Sequence, residues 1–283
     1  MKAPVNKKRG YDRVLTFLTW FFACLTIAFL AWILIFIIVK GVSQINWKFL
    51  TDIYRPTKGQ TGILPMIVST LDIIVVTVVI STPIGICSAI YLTEYSKPGR
   101  VVNTIRFATE TLAGIPSIIY GLFGLIFFVT ALHLRYSILA GALTLSIMVL
   151  PTVIRTTEEA LKSVPDSYRE GSLALGATKL KTVSRVILPC AIPGILTAVI
   201  LSIGRIVGET AAVYLTAGYT PNITANILKS GRTLSVHLYS LAKEGISFEQ
   251  AYATATILVI IVALLNFTAT RIAGRLNKLS AGR

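Results

Sequence analysis

The chain has 283 residues, 54% of them hydrophobic and only 14% charged, with a mean hydropathy of +0.75. That balance excludes an ordinary water-soluble domain, in which about 25% of residues are charged. A net charge of +15 would suit nucleic acid in a soluble protein, but here the cations sit between apolar runs, where membrane orientation accounts for them and no nucleic-acid partner is needed.

A helix needs about 20 mostly apolar residues to cross a bilayer, and six runs qualify or nearly so: 15–39, 66–92, 112–131, 138–154, 192–215 and 251–270. The expected fold class is an all-α membrane protein of six transmembrane helices. The domain organisation is a tail at 1–14, a six-span membrane domain at 15–270 and a tail at 271–283. Lys2, Lys7, Lys8, Arg9 and Arg13 precede the first run as they would in a signal peptide. That run is about 25 residues, against about 7–15 for a secretory core, and no small-residue cleavage site follows, so it reads as a retained span.

The segment 41–64 carries Trp47, Phe49 and Tyr54 beside Pro56 and Gly59, a composition suited to anchoring at headgroup level. The second run contains Asp72 and Pro83. Pro83 predicts a kink; Asp72 either lines a pathway, pairs with Arg205 or snorkels to the interface. In the third run Gly114, Gly121 and Gly124 allow close helix approach. Pro116, next to Ser117, frees a backbone carbonyl able to line a cavity, and Glu110 beside Arg106 marks an interface. The fourth run is short and meets Pro151, so it is either a span or half of a re-entrant hairpin with its predecessor. His133 and His237 fall in loops on the other side of the membrane from the termini, leaving no paired catalytic set inside the spans. Cys24, Cys87 and Cys190 have no metal-ligand spacing and read as small buried apolar residues. No metal site is expected.

The segment 156–189 is the longest on the side of the termini. Ser163 and Asp166 flank Pro165 as a helix start, Gly176 stops that helix, and a second helical stretch runs to Val186 before Pro189 and Pro193. The fifth run carries Arg205 and Glu209 in Ser202-Ile203-Gly204-Arg205-Ile206-Val207-Gly208-Glu209-Thr210. Spaced i, i+4, the two share a helical face and can pair. They either hold helices together or bind an oxyanion, for which a guanidinium fork is well shaped. The last loop, 218–250, includes a helical stretch around 234–242 and serves as a connector or touches an external partner. Segments on the side of the termini hold 18 of the 27 Lys and Arg and the opposite segments 8, Arg205 being the remaining one. Positive charge favours the cytoplasmic side, so both termini are expected inside.

Glu170-Gly171-Ser172, three residues, Gly176, nine residues, then Val186-Ile187-Leu188-Pro189 resembles the Glu-Ala-Ala loop of bacterial ABC importer permeases. Gly171 and Ser172 stand where the family has alanines, and Val186 stands for isoleucine. The resemblance implies a type I ABC importer (MetI-like) permease fold in which Glu170, Gly171, Ser172, Gly176, Leu188 and Pro189 form an elbow that docks on an ATPase subunit. The 205–210 string and Ile115-Pro116-Ser117-Ile118-Ile119-Tyr120-Gly121 resemble the phosphate permeases of the Pst system over essentially the whole chain. The segment order is similar to PstA-type rather than PstC-type subunits. The resemblance implies a bacterial inner-membrane subunit with a substrate pathway at Arg205, Glu209, Thr210, Asp72 and Ser117. Implied partners are a PstC-like permease, two cytoplasmic PstB-like ATPase subunits and an extracytoplasmic PstS-like phosphate-binding protein. No cofactor is expected on this chain: it lacks the Gly-x-x-x-x-Gly-Lys-Ser/Thr loop, so ATP and Mg belong to the ATPase subunit and the chain is no enzyme. Sulfate or molybdate are the alternative cargoes, and a secondary transporter is the alternative class.

Overall fold

A computed structural model describes residues 5–56, 59–97, 99–223 and 226–281, with side chains from Tyr11 to Arg271 within those ranges. The basic residues of the two tails, Lys2, Lys7, Lys8, Arg9, Arg275, Lys278 and Arg283, together with Lys58, lie outside the described side chains.

In chain order the elements are α1 (Val5–Val42), α2 (Trp47–Thr51), β1 (Tyr54–Arg55), β2 (Gln60–Thr61), α3 (Leu64–Ile90), α4 (Arg100–Ala113), α5 (Ser117–Gly124) and α6 (Ile138–Lys162). There follow α7 (Asp166–Ala174), α8 (Lys179–Thr182), α9 (Leu188–Gly208), α10 (Ala211–Thr216), α11 (Leu234–Lys243) and α12 (Phe248–Ala281). π-helical turns at Tyr91–Tyr95 and Leu125–Ala131 extend α3 and α5, and a third at Val183–Ile187 joins α8 to α9. Among the described residues five helices are long and apolar enough to cross a membrane. A sixth crossing is provided if α4 and the extended α5, bent by 102°, count as one. The protein is thus all-α and multi-spanning, apart from the short antiparallel β1–β2 hairpin.

The break falls before α5, not within the fourth run. Pro116 has no N–H to continue a helix, and the Leu112 carbonyl that would have lined a cavity accepts from the Tyr120 hydroxyl at 2.7 Å. The fourth run is a full helix instead. Ser137 caps it, its hydroxyl accepting from the Ala140 N–H at 3.1 Å, and the helix passes through Pro151 to Lys162, eight residues beyond the expected end. α3 likewise continues through Pro83.

α6 is the central strut, packed chiefly against α3 and α9. Ile73, Leu145, Met148, Val149, Ile206 and Val213 form the main core. Lipid tails are as apolar as leucine, so close fit and short-range hydrogen bonds hold spans together more than transfer from water. A Cβ on Gly124 would overlap the Thr144 side chain, and one on Gly85 would overlap Val153; these two glycines let α5 and α3 reach α6. Ser146 Oγ donates to the Thr77 carbonyl at 3.4 Å. α1 packs chiefly against α12, with Thr256 Oγ1 donating to the Ile37 carbonyl at 3.2 Å.

Two sequence expectations change. Phe49 and Tyr54 are core residues, packed with Ile63, Met66 and Leu234, and only Trp47, 78% exposed, remains outside as an anchor. The three cysteines are free and face outward, since each sits on the outer side of its helix. His133 is exposed, whereas His237, the other loop histidine, is buried. Its Nδ1 lies 3.3 Å from a guanidinium nitrogen of Arg232, whose Nε donates to the Tyr219 carbonyl at 2.7 Å. The Tyr54 ring meets His237 edge-on at 4.7 Å.

Burial, aided by the Arg232 charge, pushes the His237 pKa down to about 3. Between that value and the ordinary pKa of about 6.5 the unfolded chain binds a proton that the folded chain does not. Stability is therefore lost as pH falls below about 6.5, at up to about 1.4 kcal/mol per pH unit. Thermal melts of the purified protein between pH 7.5 and 5 are expected to show this decline, and His237→Gln, which keeps an acceptor for Arg232, is expected to flatten it. Equal slopes in the two proteins would assign the acid sensitivity elsewhere.

Candidate functional site

Two regions carry the chemistry, and one helix joins them. The first is the elbow around Gly176. Pro165 precedes α7 and Asp166 occupies its first turn, where a carboxylate complements the helix dipole. Ser163 does not cap α7 as expected. Its hydroxyl donates back to the Ala160 carbonyl at 2.8 Å, closing α6. α7 ends in a paired turn: the Gly176 N–H donates to the Leu173 carbonyl at 2.9 Å and the Ala177 N–H to the Ser172 carbonyl at 3.2 Å. This closure needs a left-handed residue, and Gly176 has φ of +81°.

The second arm begins at Thr178, whose hydroxyl caps α8. It then runs without interruption from Lys179 to Gly208, with Leu188 and Pro189 opening α9 directly after the π-helical turn Val183–Ile187. Ser172, the departure from alanine, earns its hydroxyl a partner: Ser172 Oγ lies 2.9 Å from Thr182 Oγ1, bridging the two arms. Outward, α7 buries no side chain. Glu170 and Gly171 are exposed, as are Tyr168, Leu173, Leu175 and Leu180, Leu175 at 91%. A rigid turn tipped with apolar side chains is an interaction surface.

Toward the bundle, Arg169 donates to Glu94, Asp166 and two backbone carbonyls. Beside it, Glu158 accepts from Arg106 at 2.5 Å and pairs with Lys162 at 2.7 Å, while Glu110 pairs with Arg155 at 3.7 Å. These ends of α3, α4, α6 and α7 share one face of the bundle, and α2, the hairpin and α11 lie at the other.

The second region is the break between α9 and α10. The expected Arg205–Glu209 helical pair does not form, because α9 ends at Gly208 and Glu209 is extended, with φ −74° and ψ 128°. Glu209 instead holds the break together. Its Oε1 accepts from the Ala212 N–H at 3.1 Å, and its carbonyl accepts from Ser235 Oγ at 2.7 Å. Among the described residues no carboxylate lies within ion-pair distance of half-buried Arg205. Tyr120, which lies in the quoted string but was not among the expected site residues, is buried in the core with Ile206 and Val207, the two residues after Arg205.

Thr210 joins Ile118, Ala211, Tyr214, Leu215 and Tyr239 around a cavity of about 380 Å³. Ser117 opens α5, which packs on α10, so Ser117 and Thr210 belong to adjoining elements. Asp72 is half-buried on α3 and makes no hydrogen bond or ion pair among the described residues, so its pairing with Arg205 is not realised. Among the described residues no group of three His, Cys, Asp or Glu side chains is arranged to hold a metal ion.

An all-α bundle with an outward-facing elbow leading straight into a membrane helix defines a class: the non-catalytic permease component of an ABC importer, a multi-pass bacterial inner-membrane protein. Residues 81–280 match the family described as "Binding-protein-dependent transport system inner membrane component". The "Probable ABC transporter permease protein YqgI" of Bacillus subtilis (strain 168) is 34% identical over 270 residues, covering 90% of this chain and 92% of that one. "Phosphate transport system permease protein PstA 1" of Mycobacterium tuberculosis (strain ATCC 25618 / H37Rv) is 34% identical over 263 residues, covering 90% and 85%. The fold is similar to that of a chain in the MetNI methionine ABC transporter, with TM-score 0.60, 23% identity and coverage of 76% of this chain and 94% of that one. A chain of a bacterial alginate ABC transporter gives TM-score 0.69 at 15% identity, covering 97% and 98%. The chain belongs to the binding-protein-dependent transport system inner membrane component family, and within it is a PstA-like permease.

Proposed function

We propose that this chain lines part of the translocation pathway for inorganic phosphate in an ATP-driven importer. The observation that carries the reading is Arg205, a guanidinium with no carboxylate within ion-pair distance among the described residues, on the same continuous helix, Lys179–Gly208, that forms the second arm of the elbow. A cation in the membrane with no internal counter-ion awaits a ligand anion, and the helix gives nucleotide-driven motion at the elbow a direct route to it. The PstA relatives, whose names specify phosphate transport, support phosphate over other oxyanions. The partners are a PstC-like permease, two PstB-like ATPase subunits at the elbow and a PstS-like binding protein on the opposite face, with both termini cytoplasmic. Glu170, Gly171, Ser172, Gly176, Leu188 and Pro189 carry the coupling; Arg205, Glu209, Thr210, Ser117 and Asp72 belong to the pathway.

Glu209 favours phosphate over sulfate on chemical grounds. Near neutral pH phosphate keeps a proton that a carboxylate can accept, and sulfate has none to donate. One oxygen of Glu209 is taken by the Ala212 N–H, leaving the other for the anion. Glu209→Gln keeps an oxygen for Ala212 and turns the remaining acceptor into a donor. Loss of a charged hydrogen bond of about 1.5–3 kcal/mol corresponds to a fall in radiolabelled phosphate uptake of about 10- to 100-fold. Undiminished phosphate uptake would remove Glu209 from the discrimination, and equal sulfate and phosphate uptake by the native importer would replace phosphate with a general oxyanion.

A further inference from the structure

The geometry points to Arg169 as a positioning residue that clamps the elbow to the membrane bundle through Glu94, so that force on α7 moves α3 and α6 together. This inference rests on the coupling role proposed for the elbow and adds a second route, separate from the continuous α8–α9 arm.

All five N–H groups of the Arg169 guanidinium are matched by acceptors. Nε reaches the two Glu94 oxygens at 3.2 and 3.4 Å, and Nη2 reaches Glu94 Oε1 at 2.8 Å, a two-pronged pairing. The second Nη2 donor meets the Leu161 carbonyl at 2.8 Å. Nη1 serves the Val164 carbonyl at 2.7 Å and Asp166 Oδ1 at 3.1 Å. Glu94 lies in the π-helical turn that ends α3, and Leu161 lies in the last turn of α6, where carbonyls lack helical partners. One planar group therefore joins the ends of α3 and α6 to α7, and only arginine offers five donors in a fixed fork.

The joint is enclosed, the side chains being 18% exposed for Arg169 and 7% for Glu94. α7 has no apolar anchor of its own, since none of its residues is buried. Val164, just before it, is buried against Leu161, Ile187 and Ala191, but that contact holds the connecting segment and not the helix. Without the clamp α7 would be tied to the second arm through Ser172 and Thr182 but to α3 and α6 only through the Pro165 connection, and a push from outside would reach those two helices weakly.

A buried ion pair is by itself weak evidence for stability, so the test must separate transmission from folding. The complete importer, reconstituted in vesicles, is compared as native protein, Arg169→Ala, Glu94→Ala, the double variant and Glu94→Gln. Phosphate uptake and ATP hydrolysis are measured per assembled complex. The expected result is retained assembly and ATP hydrolysis with at least a tenfold fall in phosphate moved per ATP in either alanine variant. The double variant should be no worse than the singles, because one joint has been removed. Glu94→Gln, which keeps the shape but loses the charge, should fall several-fold. Unchanged phosphate per ATP, strictly additive losses, or failure of both Arg169→Ala and Glu94→Gln to assemble would overturn the clamp and leave a folding role. Gly176→Pro in parallel separates the two ideas: if it uncouples while Arg169→Ala does not, the elbow stands and the clamp falls; if neither uncouples, the coupling role itself falls.

Discussion

Arg205→Gln is expected to cut the initial rate of phosphate uptake at least a hundredfold while leaving the amount of protein in the membrane unchanged. Glutamine has a similar reach but neither the charge nor the two-pronged donor geometry that suits a tetrahedral oxyanion. Losing two charge-assisted hydrogen bonds at about 1.5–3 kcal/mol each accounts for that factor. The normal abundance follows from the observed geometry. Had Arg205 been paired with Glu209, its removal would have stranded a carboxylate in the membrane, at a cost of about 3–5 kcal/mol. Glu209 instead has its own partners at the α9–α10 break, and no carboxylate among the described residues is left behind. Radiolabelled phosphate uptake with quantitative immunodetection of the membrane fraction checks both halves. Uptake within twofold of native would remove Arg205 from the pathway.

Gly176→Pro is expected to abolish coupling, lowering ATP-dependent uptake more than tenfold. Proline holds φ near −65°, against +81° at this position, and it deletes the N–H that reaches the Leu173 carbonyl. Both ends of the α7 closure fail, at a cost of about 3 kcal/mol or more. A Cβ at this position would meet nothing within 4 Å, so the effect comes from the backbone and not from crowding. Gly176→Asn is the matching control. Asparagine tolerates the left-handed region and is expected to keep at least half of native uptake. A proline variant with native ATP-dependent uptake would show that the elbow transmits nothing.

The spans and the elbow were legible in the sequence, and the charged partnerships largely were not. Gly176 and the spacing around it announce the turn because its hydrogen bonds run over only five residues. Arg169 sits beside the motif yet gave no signal, since Glu94 is 75 positions away. The i, i+4 spacing of Arg205 and Glu209 permits a pair only on an unbroken helix, and α9 ends one residue too soon. The aromatic loop residues and the cysteines were assigned by residue type, and His237 only by its place in a loop. Their burial depends on which helix face or neighbouring loop reaches them, as Leu234 and Arg232 reach Tyr54 and His237.

What the sequence determined by itself was the multi-span, all-α character and the elbow, because the bilayer makes each span satisfy its own backbone and bury its own length. Those demands are local, so each segment answers them with its own residues. Tertiary structure decided where helices break and which charges meet. The Glu209 break is held by Ser235 from α11, and the Arg169 joint is built from the ends of three helices. Such groups come together only when distant segments pack, and the free energy that selects them belongs to the assembled bundle.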